Sequence, residues 1–84
     1  MEMTMTDAEK AEMIVAITTV LAHAIEANDQ DIIRQAGEDL NGLGGDVLMK
    51  RVLDEVAKPY DDPEYGRVCN LVDKEWHGIG NWLA

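Results

Sequence analysis

Phenylalanine is absent from the chain, and the aromatic material for a core reduces to Trp76, Trp82, Tyr60 and Tyr65. Cysteine occurs once, at Cys69, so no internal disulfide supplements the fold, and a single thiol suits a reducing, intracellular setting. Basic residues are scarce: seven Lys and Arg stand against 17 Asp and Glu, for a formal charge of −10. Phosphate binding depends on neutralisation by Lys and Arg, so direct binding to nucleic acid is not expected. The opening Met-Glu-Met-Thr-Met-Thr-Asp lacks the basic start of a secretory signal. The longest uncharged run, the thirteen residues from Met13 to Ile25, falls short of the roughly 20 that cross a bilayer. A soluble, cytoplasmic protein with no membrane contact is the expectation.

What is present is a short acidic chain with helical patterning. Its 84 residues make one domain, 1–84, in which a smaller share of surface is buried than in a large protein. The acidity is uneven. Residues 1–49 carry ten acids (Glu2, Asp7, Glu9, Glu12, Glu26, Asp29, Asp31, Glu38, Asp39 and Asp46) against Lys10 and Arg34, a net −8. Residues 50–84 come to −2. Such a field is compatible with a basic protein partner, and it also keeps a small protein soluble.

Thr6-Asp-Ala-Glu9 is a capping box, which starts a first helix over about 7–27. Its polar seam, Glu9, Glu12, Ala16, Thr19, His23 and Glu26, steps by three and four along one face. Ile14, Ile17, Leu21 and Ile25 face away from the seam, and Met13, Val15, Val20 and Ala24 widen the arc predicted to be buried. A helix so apolar needs cover on several sides, which raises the question of a partner.

Asn28-Asp29 ends that helix and caps a second over about 30–40, with Ile32, Ile33, Ala36 and Leu40 apolar. The glycines of Asn41-Gly-Leu-Gly-Gly45 predict a break. Asp46 is then expected to cap a third helix over about 46–57, stopped by the effect of Pro59 on Lys58. Asp62-Pro63 is read as the cap and first turn of a fourth helix over about 63–77, carrying Tyr65, Cys69, Val72 and Trp76. Ile79 and Leu83 continue that spacing, but Gly78 and Gly80 favour a kink or a docked tail over an unbroken helix. The expected fold is all-α, a small four-helix bundle with short connections.

Chemistry-bearing residues are few. His23 lies on the polar seam without a nucleophile or pocket that would make it a base. Asp73 and His77 share a helical spacing, but two ligands are too few for a metal. Cys69 sits on the apolar stripe, as a buried structural thiol does. Asp39-Leu-Asn-Gly-Leu-Gly-Gly-Asp46 lacks the Lys of a phosphate loop and the ligand order of a calcium loop. No catalytic, cofactor or metal site is expected. Trp82 falls beside the buried face of the fourth helix, either half-exposed as a binding hot spot or packed over the open end of the core.

Two function classes follow. The first is a non-enzymatic interaction module, an inhibitor binding a basic surface of a protein partner, such as part of a nucleic-acid-binding complex. Phage anti-defence proteins, anti-CRISPR proteins included, and nuclease immunity proteins are classes of that general kind, an analogy of class alone. Its contact residues would be Glu9, Glu12, Glu26, Asp29, Asp31, Glu38, Asp39 and Trp82. The second is a structural homodimer packing through the first or the fourth helix.

Overall fold

Thr6 and Glu9 close the expected capping box. The Glu9 amide donates to the Thr6 hydroxyl at 3.1 Å, and the Thr6 amide donates to the Glu9 carboxylate at 3.1 Å. The computed structural model describes residues 5–82, and in it this box opens helix α1, Asp7–Ala27. Asn28 ends the helix in a left-handed conformation (φ 56°, ψ 39°), which asparagine tolerates better than most residues. Its neighbour Asp29 accepts from the Ile32 amide at 3.3 Å and so caps α2, Gln30–Ala57. Helix α3 covers Glu64–Trp76.

Among the described residues there is no strand, and the all-α expectation holds. A four-helix bundle is not shown: among the described residues there are three helices, the second of which joins the expected second and third across a kink. The predicted break at 41–45 narrows to one residue, Gly45, with φ 71° and ψ −164°. That region is essentially closed to residues bearing a Cβ. Asn41 to Gly44 stay helical although each glycine forfeits about 1 kcal/mol relative to alanine. Tertiary packing offsets that loss, because Leu40, Leu48 and Met49 are buried on either side and Leu43 is half-buried between them. The chain therefore runs through α2 with a sharp kink, and Asp46, directly after Gly45, opens the second helical segment from its first helical position.

The boundary at Ala57 falls where expected, although Lys58 keeps helical angles and donates to the Asp54 carbonyl at 3.1 Å. Asp62 does not cap α3. The N-cap position is Pro63, no side chain bonds the first turn, and the Asp62–Pro63 peptide is cis. At its other end α3 stops at Trp76, and His77 to Trp82 turn back through Gly78 (φ 87°) and Gly80 (φ 53°). This is the docked tail: Ile79 and Trp82 are buried, while Leu83 lies outside the described residues.

Helix α2 is the central element, packed against both neighbours, whereas α1 and α3 scarcely meet. The core is wholly apolar among the described residues and contains no buried charged group. Its largest member is Trp76, fully buried, whose indole lies over Gly37 of α2 so closely that a Cβ there would overlap the ring. The Trp76 Nε1 donates to the Ile33 carbonyl at 2.7 Å. Trp82 meets Trp76 edge-on, with ring centroids 5.1 Å apart at 81°. Its own Nε1 is buried with no partner among the described residues, a state that costs about 1–3 kcal/mol.

Candidate functional site

Cover over α1 is uneven. Its C-terminal half supplies Leu21, Ala24 and Ile25 to the core, but no residue from Asp7 to Val20 is fully buried. The expected seam is exposed throughout, from Glu9 to Glu26. Ile14 and Ile17 are half-buried against the core, as their placement opposite the seam predicts. The widening of the arc holds for Ala24 and is corrected for the other three. Met13 is 42% exposed, Val15 65% and Val20 50%, because α2 covers one side of α1 and α3 hardly reaches it.

On the Val20 side this leaves a groove between α1 and the first half of α2. Two adjoining depressions form it and share Val20 and Ile32. One, of about 200 Å³, has Ala16, Ile17, Gln35, Ala36 and Asp39 as its other lining. The second, of about 410 Å³, adds Thr19, His23, Ala24, Ala27 and Asp29. Ile32, which the sequence places in the core, is 41% exposed here. The polar lining is muted, since the Thr19 hydroxyl donates to the Val15 carbonyl of its own helix at 3.0 Å.

The groove has a carboxylate at each end. Asp39 sits beside Ala16 and Ile17, and accepts from Gln35 Nε2 at 3.1 Å. Asp29 sits beside Ala27 and His23, one oxygen engaged in capping α2. No Lys or Arg lines either depression. Glu12 is exposed one turn before Ala16, so it extends the acidic rim. Glu9 is exposed a further turn away, its carboxyl held below the usual range chiefly by the Thr6 amide and then by the Thr6 hydroxyl. Asp31 and Glu38 are exposed on α2 outside the lining, and Glu26 points about 120° around α1 from Val20. The structure thus brings Asp29 and Asp39 to the groove with Glu9 and Glu12 beyond one end, and it spreads the other three acids around it.

None of the seven is in an ion pair among the described residues. The two pairs present are Lys50–Asp54 and Arg67–Glu64, both exposed neighbours within one helix. Such pairs contribute little to stability, and they leave the N-terminal acids uncompensated.

Trp82 occupies the second of its two expected placements, buried against Trp76 and outside the lining of the groove. It borders a different depression, about 550 Å³, between α2, α3 and the terminal turn, where Val47 (75% exposed) and Tyr65 (41%) also lie. Cys69 is half-buried there, and through a hydrogen bond and its charge it pushes the Tyr65 phenol up from the ordinary tyrosine value. His77 lies outside α3 with ψ 127°, so it does not share a helical face with Asp73. Among the described residues no group of three or more His, Cys, Asp or Glu is placed to hold a metal ion. No described helix is long and apolar enough to cross a membrane.

Val20 and Ile32 are the groove residues that the sequence reading misplaces. A signal for them exists: the apolar arc of α1 is broader than the four apolar positions of 30–40 can cover. No protein-family model, curated protein or solved structure matches this chain.

Proposed function

We propose that the chain is a non-enzymatic interaction module that acts by binding a basic surface of a protein partner, in the manner of a small inhibitor. One observation carries this reading: an exposed apolar groove on α1 and α2 has a carboxylate at each end, Asp29 and Asp39, with no Lys or Arg in its lining, and none of the neighbouring acids is in an ion pair among the described residues. Apolar surface supplies affinity when it is covered, and the uniform sign of the rim steers and selects the partner. The test is a titration against a panel of folded basic proteins at increasing NaCl. Binding that weakens steeply with salt is the expected outcome, and an affinity indifferent to salt removes the electrostatic basis.

A second reading, a homodimer through α1 or α3, is favoured by Val47 and Tyr65, which expose apolar surface beside α3. Sedimentation at micromolar concentration separates the two, since this reading requires a dimer and the first requires none.

A further inference from the structure

We infer that the α1–α2 groove receives an amphipathic α-helix of the partner, with an apolar centre and a Lys or Arg toward each end; this rests on the interaction-module reading above. The groove has the length and the floor for a helix. Its α1 lining runs from Ala16 to Ala27, about three turns or roughly 16 Å. Ala16, Ala24, Ala27 and Ala36 are small, which lets another backbone approach, and Val20 and Ile32 stand at the centre as apolar contacts. A helix lying in such a groove is held by side chains at i, i+3 or i+4, and i+7.

Charge selects the occupant. Asp29 and Asp39 are ten residues apart on α2, which places their backbones roughly 15 Å apart at opposite ends of the groove. Basic residues ten or eleven positions apart on the incoming helix match that separation. The α1 of a second copy of this chain is a poor occupant. It carries Glu9 and Glu12 before the apolar stretch and Glu26 after it, with Lys10 as the sole base, so self-pairing sets acids against Asp29 and Asp39. Like charges so placed oppose association.

The probe is a synthetic helical peptide with leucines at i, i+4 and i+7 between two lysines eleven residues apart. Two controls accompany it: a scramble of equal composition, and a version with glutamates replacing the lysines. Fluorescence anisotropy of a terminal dye gives affinity, and amide NMR shifts locate the contact. The amphipathic basic peptide is expected to bind at least tenfold more tightly than either control, with shifts at Val20, Ile32, Gln35 and Ala36. Val20→Arg, at a half-exposed position, is expected to weaken that binding tenfold or more with unchanged circular dichroism. Asp29→Asn with Asp39→Asn is expected to weaken it and flatten its salt dependence, and asparagine retains the cap at position 29. Equal binding of the scramble, or shifts that avoid the groove, overturns the helix inference. Binding of folded basic proteins but of no peptide overturns it too, and leaves the broader reading intact. Binding of neither defeats both. Concentration-dependent shifts at Val20 and Ile32 without peptide, together with a dimer by sedimentation, assign the groove to a second copy and overturn the inference.

Discussion

Two tryptophans of nearly equal burial differ in one hydrogen bond. Trp76 is fully buried and gives its Nε1 proton to the Ile33 carbonyl, whereas Trp82, 7% exposed, buries its Nε1 with no acceptor among the described residues. Replacing Trp76 by phenylalanine removes a satisfied bond and leaves a void over Gly37. Replacing Trp82 removes an uncompensated polar group along with its apolar area. Chemical denaturation should therefore find Trp76→Phe more destabilising than Trp82→Phe, by about 1–2 kcal/mol. Equal costs would mean that the indole bond contributes nothing net. The sequence marked Trp76 as core by its helical spacing and left Trp82 between two placements, but gave no sign of this difference. The acceptor is a backbone carbonyl 43 residues away, and only the tertiary fold supplies it.

Helix starts and stops were largely legible because they are local chemistry. The Thr6–Glu9 box, the Asn28–Asp29 junction and the turn after Trp76 each rest on side chains within a few positions of the boundary. Inside α2 the glycines marked a break but not its narrowing to Gly45, because packing by Leu40, Leu48 and Met49 from both sides keeps Asn41 to Gly44 helical. Its cost is concentrated at Gly45. Gly45→Ala, with nothing near the added methyl group, is expected to destabilise the protein by about 1–3 kcal/mol through backbone strain alone. Thermal denaturation measures it, and an unchanged midpoint would show that the kink straightens at no cost. The groove was half legible: the polar seam of α1 is exposed as read, but the flank with Met13 and Val20 is too. Periodicity gives the direction of a face, and the cover that reaches it depends on how α2 and α3 are arranged.

For the molecule as a whole, a charge of −10 is carried on a body of 49 × 26 × 20 Å, with two ion pairs among the described residues. Self-repulsion outweighs attraction in such a field. Added salt screens the repulsion while weakening few favourable pairs. The melting midpoint should rise between 10 mM and 0.5 M NaCl; each 1 kcal/mol of relieved repulsion adds roughly 4–8 °C for a domain of this size. A midpoint that falls with salt would mean that surface pairing outweighs the net charge. Salt should thus act in opposite senses on stability and on capture of a basic partner.

The pairing of Trp76 with Trp82 has an optical consequence. Both intrinsic fluorophores of this kind stand in one place, 5.1 Å apart, and neither borders the groove on α1 and α2. Native emission therefore reports the packing of α3 and the terminal turn on α2, and a ligand seated beside Val20 reaches it only through the Ile33 and Gly37 backbone on which Trp76 rests. A partner that docks there is therefore read directly by a dye or an amide signal on α1, and only at second hand by a tryptophan titration.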